Sequence, residues 1–163
     1  MWLVEKYIKY LVGFAILWGI LWSTRNCGCA KVVGTSMSPT FTSEEFVFIR
    51  VGKKFPTDLQ CQDLVWFRYQ SPAIKEDGFL TRVIGLPGDK IAIREGIVFV
   101  NGRELNEAYM KAEQVKRDQT IPEVIVPANH YYVLADNRID GVFPDSRSFG
   151  PIPVHAVVGK VNR

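Results

Sequence analysis

Residues 90–105, KIAIREGIVFVNGREL, carry the clearest secondary-structure signal in this chain. Apolar and polar residues alternate there, and the stretch is divided by two turn pairs, Glu95-Gly96 and Asn101-Gly102. Such alternation is typical of half-buried β-strands, and Asn-Gly is a favoured two-residue hairpin turn. We therefore predict two consecutive β-hairpins.

Short runs of β-branched and aromatic residues, each bounded by turn residues, lie on both sides of these hairpins and are predicted as strands. They are FVFIRV at 46–51, LVWFRY at 64–69, FLTRVIG at 79–85 and HYYVLA at 130–135. VHAVVGKVNR at 154–163 is predicted to close the sheet, while residues 104–117 lack Gly and Pro and are predicted as one short helix or an ordered loop. The fold class is mainly β.

The amino terminus has a different character. Tyr10 to Thr24 carry no charge, and with residues 7–9 the apolar segment reaches 18 residues, about 27 Å of helix at ~1.5 Å per residue. That length just spans a hydrocarbon core of about 30 Å. We predict residues 1–30 as a single transmembrane anchor and residues 31–163 as one β-rich domain.

A cleaved secretory signal is the alternative to a retained anchor, because basic residues precede the apolar segment. No small-x-small cleavage site follows cleanly before Arg25, although Cys27-Gly28-Cys29-Ala30 could serve as a poor one. A retained anchor is therefore favoured. Lysine and arginine residues flank the segment on both sides, so charge alone does not fix its orientation.

Composition excludes several functional classes. The 20 Lys and Arg against 17 Asp and Glu leave a net charge of +3, which is too small and too scattered for a nucleic-acid surface. Cys27, Cys29 and Cys61 form neither a paired disulfide framework nor a zinc ligand set. We expect no metal, no cofactor and no nucleic-acid partner, and nothing in the sequence indicates the oligomeric state.

Ser36 is the candidate nucleophile. It lies in VVGTSMSPTF at 32–41, between Gly34, which permits unusual backbone angles, and Pro39, which fixes the following turn. A Gly-x-Ser pattern alone more often marks an ordinary turn serine. Three further segments supply context, and they are GLPGD at 85–89, ADNR at 135–138 and DSRSFGPIP at 145–153.

In this order the segments resemble the conserved boxes of type I signal peptidases and of the related mitochondrial inner-membrane peptidases, from Val32 to Gly159. The resemblance implies a signal-peptidase-like β-sheet domain behind a single transmembrane helix, with the catalytic domain on the extracytoplasmic face. It implies a membrane-bound serine endopeptidase that cleaves signal peptides from exported preproteins. Preproteins with small residues at −1 and −3 and the lipid bilayer would be its partners.

The resemblance also implies a mechanism. Ser36 would attack the scissile carbonyl, and its backbone N–H would contribute to an oxyanion hole. Gly34 stands where some members have a serine donor, so that side-chain donor is absent. In the family a lysine of depressed pKa, one residue before the Arg of the RVIGLPGD segment, acts as general base. Here that Arg is Arg82, and Thr81 occupies the base position.

Thr81 is far too weak a base to deprotonate a serine at neutral pH. The family also commonly places a serine, which orients the lysine, between its DNR and DSR elements, and residues 139–144 contain no hydroxyl. A catalytically silent, membrane-tethered homologue that binds peptides or acts as a scaffold is therefore the alternative function. A specialised processing peptidase for a conjugation or pilus system is a third, weaker one.

A relocated base would have to lie within about 3 Å of the Ser36 hydroxyl. His130, on the HYYVLA strand, and His155, on the predicted last strand, are candidates, but each is more often a surface or edge residue. Lys75 and Lys90 are more often solvated loop residues.

The five charged residues of the motifs are expected to support the site structurally through charge-assisted hydrogen bonds. Charged turn residues that merely face solvent are the alternative. These residues are Arg82, Asp136, Arg138, Asp145 and Arg147. A membrane-proximal apolar surface would suit cleavage next to a bilayer; FVFIRV or LVWFRY could contribute to it, although burial of both in the core is expected.

Overall fold

The structure, a computed structural model, describes residues 7–8, 10–18, 27–51, 58–68, 78–139 and 145–162. Residues 7–8 and 10–18 are helical (α1), α2 spans Ser146–Phe149, and two 3-10 turns span Ala112–Gln114 and Val154–Ala156. The strands are β1 (Cys27–Lys31), β2 (Phe46–Arg50), β3 (Leu64–Phe67), β4 (Phe79–Gly85), β5 (Lys90–Arg94), β6 (Ile97–Val100), β7 (Arg103–Glu104), β8 (Ile121–Ile125), β9 (His130–Leu134), β10 (Ile152–Pro153) and β11 (Val157–Val161). The predicted mainly β fold class is confirmed.

The described strands form two sheets with antiparallel neighbours. One has seven strands in the order β1-β2-β11-β3-β4-β9-β10, and the other has four in the order β7-β6-β5-β8. The last strand, β11, thus lies inside the larger sheet and not at its edge. Gly159 on β11 permits this close packing, because an added Cβ would lie 2.5 Å from Cγ2 of Ile49 and 2.7 Å from the carbonyl oxygen of Arg50.

The two predicted hairpins are confirmed as β5–β6 and β6–β7. Glu95 and Gly96 both have positive φ, as do Asn101 and Gly102, which is the backbone signature of type I′ turns. Apolar residues of β5 and β6 pack with Ile84 of β4 and Leu134 of β9 in one buried cluster. This cluster holds the two sheets together.

Buried and exposed side chains alternate along β2, although nearly all of its residues are apolar. Val47 and Ile49 are buried, whereas Phe46 is 65% and Phe48 71% exposed. Burial of the whole FVFIRV run is therefore a wrong prediction for the two phenylalanines, because only one face of β2 meets the core. Strand β3 of the LVWFRY run is mostly buried, as predicted.

The amino-terminal helix α1 exposes all its described apolar side chains. None of the described helices combines the length and the apolar character that a membrane crossing requires. The predicted transmembrane helix is thus not confirmed, and residues 9 and 19–24 of it lie outside the described residues. Strand β1 begins at Cys27 and pairs with β2, so the sheet includes residues on both sides of the predicted boundary at residue 31.

Two further predictions are refined. Residues 104–117 take the ordered-loop alternative, with a single 3-10 turn at Ala112–Gln114. His155 lies in the 3-10 turn before β11, so its predicted place on the last strand is wrong.

The alternation of β2 generates a stability prediction. Ile49→Ala should lower the free energy of unfolding by about 2–5 kcal/mol, because it leaves a cavity in the core. Phe48→Ala, on the opposite face of the same strand, should change it by less than about 0.5 kcal/mol. Chemical denaturation of the full chain in detergent measures both values, and a loss at Phe48 as large as that at Ile49 would contradict this assignment of faces.

Candidate active site

Ser36 begins a turn between β1 and β2. The next residue, Met37, is fully buried with Phe41 in the core cluster under this turn. The Phe41 N–H donates to the Met37 carbonyl at 2.9 Å, and the Ser38 N–H donates to the Thr35 carbonyl at 3.1 Å. Met37 therefore anchors the turn, and Ser36 is left half-buried. This is the partial exposure that a nucleophile needs.

Gly34 has a φ of 86° two residues before Ser36. Its N–H donates to the Ser43 hydroxyl at 3.2 Å. Because a residue with a Cβ rarely adopts this backbone conformation, the glycine is required by the approach of the chain to Ser36. Its part in oxyanion binding stays a prediction.

Asn137, just after the end of β9, binds the Ser36 turn. Its backbone N–H donates to the Ser36 carbonyl at 2.8 Å, and its side-chain Nδ2 donates to the Thr35 carbonyl at 3.2 Å. Sequence reasoning did not name Asn137, although it stands in the ADNR segment that signalled the site. Ser36 is thus fixed beside the end of β9.

Thr81 lies in the middle of β4, 3% exposed, between β3 and β9. Its hydroxyl donates to the carbonyl of Leu134 at 2.9 Å. The side chain therefore serves as a hydrogen-bond donor within the sheet, and it offers no basic nitrogen. The geometry supports the expectation that Thr81 does not act as a base.

Three of the candidate replacement bases, His130, His155 and Lys90, are among the described residues, and none of them has a hydrogen bond to the Ser36 turn there. His130 begins β9, four residues before Leu134, so strand geometry puts it about 13 Å from the end near Asn137. His155 is exposed in its 3-10 turn, and Lys90 lies in the four-stranded sheet with Nζ 3.5 Å from Oε1 of Glu123. Lys75 lies outside the described residues.

Arg82 forms the central ion pair of the site. Its Nε and Nη2 donate to the two carboxylate oxygens of Asp136 at 2.8 and 2.6 Å, and Asp136 is fully buried. The Thr40 hydroxyl donates to the same carboxylate and accepts from Nη2 of Arg82 at 3.3 Å. Because Thr40 belongs to the Ser36 turn, this pair ties that turn to β4 and to the end of β9.

Arg147 and Asp145 form a second buried pair. Arg147 donates to both carboxylate oxygens of Asp145, with Nε–Oδ1 at 2.9 Å and Nη2–Oδ2 at 2.8 Å. Asp145 also accepts the N–H of Arg147, which caps α2, and the N–H of Ala135 at 3.1 Å. This pair therefore ties the start of α2 to the end of β9.

Arg138 pairs with a residue that sequence reasoning missed. Its Nη2 is 2.5 Å from Oε1 of Glu107, and its Nε donates to the Ala135 carbonyl at 2.5 Å. The Tyr109 hydroxyl donates to the same Glu107 at 2.6 Å, and the Tyr109 ring lies 3.7 Å from the Arg82 guanidinium carbon. Burial, reinforced by Glu107, raises the pKa of Tyr109. The phenol therefore stays protonated near neutral pH and is no base.

All five predicted supporting residues are thus buried in ion pairs, and the alternative of solvent-facing turn charges is wrong for them. The three arginines are matched by three carboxylates, which leaves the cluster electrically balanced. Chemically, the arrangement offers a serine on a backbone turn that is held by hydrogen bonds, next to a cluster of paired charges.

Comparison with known proteins gives one family. The profile described as signal peptidase, peptidase S26, matches residues 4–163. Signal peptidase I of Bacillus caldolyticus is 34% identical over 142 residues, which cover 80% of this chain and 75% of that protein. Signal peptidase IB of Staphylococcus aureus (strain COL) is 31% identical in an alignment that covers 97% of this chain and 88% of that protein.

A solved structure agrees with these relatives. The crystal structure of a signal peptidase I from Enterococcus faecalis V583 matches with a TM-score of 0.54 and 28% sequence identity. The match covers 64% of this chain and 97% of that chain. The comparisons confirm the resemblance that the motifs indicated.

The central ion pair yields a quantitative expectation. Asp136→Asn should lower the free energy of unfolding by about 3–5 kcal/mol, because it leaves the buried Arg82 charge uncompensated. Glu123→Gln breaks the exposed pair with Lys90 and should cost less than about 1 kcal/mol. Urea denaturation of the full chain in detergent measures both, and equal effects would contradict the central role of Asp136.

Proposed function

This chain belongs to the signal peptidase family, peptidase S26, and we propose that it is a membrane-bound serine endopeptidase that cleaves signal peptides from exported preproteins. Ser36 is the proposed nucleophile. The observation that carries the proposal is the way its turn is held, since Met37 anchors it in the core while Asn137 binds the Ser36 carbonyl at 2.8 Å. A nucleophile held in one geometry lowers the entropic part of the barrier.

The substrate would be a signal-peptide-bearing preprotein bound as an added strand. Among the described strands, β1 is outermost in the seven-stranded sheet, and it leads within five residues to Ser36. Strand addition at such an edge supplies backbone hydrogen bonds, and pockets for alternate side chains supply specificity. Small side chains at −1 and −3 fit that mode.

Membrane attachment is proposed through residues 1–30 and one face of the sheet. On β2, Phe46 and Phe48 are exposed, and Phe46 is paired with Lys31 of β1. Exposed aromatic side chains suit the boundary between the acyl chains and the headgroups of a bilayer, and the Lys31 ammonium group beside them pairs with Glu44. The catalytic domain would then lie against the extracytoplasmic face of the bilayer.

Thr81 is the observation that favours the second candidate, a catalytically silent homologue that binds peptides or serves as a scaffold. Its hydroxyl donates to the Leu134 carbonyl and cannot deprotonate Ser36. Hydrolysis by this chain therefore requires a base other than Thr81.

The proposal predicts how cleavage depends on two residues. In single-turnover cleavage of a preprotein in detergent, Ser36→Ala should abolish any activity of the chain. Thr81→Lys should raise the rate by at least about 100-fold, because a buried lysine supplies a neutral amine near the working pH. Thr81→Met is the matched control, since it has similar length and no amine, and it should bring no gain.

Each outcome separates the candidates. Cleavage by the given chain that is lost in Ser36→Ala supports the peptidase with a relocated base. Cleavage only in Thr81→Lys supports the silent homologue on an intact scaffold. No cleavage by any of these proteins, together with retained binding of the preprotein, would overturn the peptidase proposal.

The membrane-facing side of the sheet is tested by fluorescence depth measurement. Cys29 lies directly opposite Phe48, so a fluorophore on Cys29 in a Cys27→Ser, Cys61→Ser chain reports on that face. In vesicles with spin-labelled lipid, we expect strong quenching there. A fluorophore on Glu104→Cys in a chain without other cysteines should be quenched weakly, and equal quenching at both positions would contradict the proposed orientation.

A further inference from the structure

Residues 106–119 lie between β7 and β8, and we call them the strap. The strap contacts all three arginines of the site. The Tyr109 ring stacks on Arg82, and Glu107 pairs with Arg138. Near the other end of the strap, Oε1 of Gln119 accepts a hydrogen bond from Nη1 of Arg147 at 2.8 Å. The strap is thus docked at several separate points.

Gln114 is the strap residue that reaches the nucleophile turn. Its Nε2 donates to the Ser38 carbonyl at 2.7 Å, while its Oε1 accepts from the Lys111 N–H at 3.1 Å. Its backbone carbonyl accepts from the Arg138 N–H at 3.2 Å. With 9% exposure and both ends of its amide engaged, the side chain has a single fixed orientation.

We infer that Gln114 is a positioning residue for the reaction at Ser36, acting through the Ser38 carbonyl. This inference rests on the proposed function, and it adds Gln114 to the residues that the proposed function already involves. Asn137 holds the turn at Ser36, and Gln114 holds it two residues later from a different segment of the chain. With both bonds present, the backbone that carries the Ser36 side chain is held at two points.

Loss of the hydrogen bond from Gln114 to the Ser38 carbonyl would loosen the Ser36 turn and leave the strap in place. Tyr109, Glu107 and Gln119 keep the strap docked without help from the Gln114 side chain. An unpaired Ser38 carbonyl, by contrast, frees the turn on that side. A misplacement of about 1 Å in a reacting group can lower the rate roughly 100-fold.

The strap offers a matched pair of variants. Gln114→Glu keeps the acceptor for the Lys111 N–H and removes the donor to Ser38, where a carboxylate would face a carbonyl oxygen. Gln119→Glu makes the same chemical change at an amide whose oxygen accepts from Arg147, so its hydrogen bond is retained. Only the first variant should affect the nucleophile turn.

The experiment measures single-turnover cleavage of a preprotein as a function of enzyme concentration, in the given chain or in the Thr81→Lys background if only that chain cleaves. We expect Gln114→Glu to lower the maximal rate about 10- to 100-fold with half-saturation changed less than about threefold. Gln119→Glu should stay within about twofold of its parent. Gln114→Met removes the donor without adding charge, and it should lower the maximal rate by a similar factor. It replaces Gln114→Glu in the experiment if the charged variant does not fold.

A normal rate in both Gln114 variants, or a change in half-saturation alone, would overturn the inference. Amide hydrogen exchange over residues 35–41 gives a readout that needs no cleavage. Faster exchange there in the Gln114 variants but not in Gln119→Glu shows that the Gln114 side chain holds the turn, and this readout stays valid even if the peptidase proposal fails. Equal exchange in all variants would overturn it.

Discussion

The buried pair of Arg82 and Asp136 is the interaction on which the arrangement of the site depends. An isolated charge cannot be buried at such a position without a large desolvation penalty, so each residue requires the other. The pair satisfies that requirement with two parallel hydrogen bonds at 2.8 and 2.6 Å and recruits the Thr40 hydroxyl. Arg82 lies on β4, Asp136 follows the end of β9, and Thr40 belongs to the Ser36 turn. One set of hydrogen bonds therefore fixes three segments that are distant in the sequence.

Thr81 takes no part in the hydrogen bonds between Arg82, Asp136 and Thr40, although it is the neighbour of Arg82 in the sequence. The Thr81 hydroxyl is satisfied by the Leu134 carbonyl, within the β4–β9 pair. None of the bonds described at Arg82, Asp136 or Asn137 passes through it. The fold and the placement of Ser36 are therefore separable from the general base. Under the proposed function, this separation explains how the family scaffold can be retained while the expected base position holds a threonine.

Much of this architecture was predictable from local sequence, and the reason is physical. Alternation and turn chemistry act over a few residues, so the hairpins at 90–105 and the strand at 79–85 are read directly from the chain. The strap was not predictable, because Gln114 and Ser38 are 76 residues apart and no periodicity links them. The exposure of Phe46 and Phe48 was only the less favoured alternative for a related reason: composition shows that a strand is apolar but not which of its faces lacks a partner.

The exposed face of β1 and β2 and the nucleophile turn are joined by a short piece of chain. Lys31 ends β1, and Ser36 follows five residues later, so the two are at most about 17 Å apart even if the chain between them is extended. Under the proposed function, a sheet face lying on the bilayer would therefore keep the serine close to the membrane surface. Close placement matters chemically, because a substrate held in the same membrane need not be captured from bulk solution. Under the same proposal the ion-paired cluster would have a second consequence, because fixing the turn to the sheet would also fix the serine relative to the bilayer.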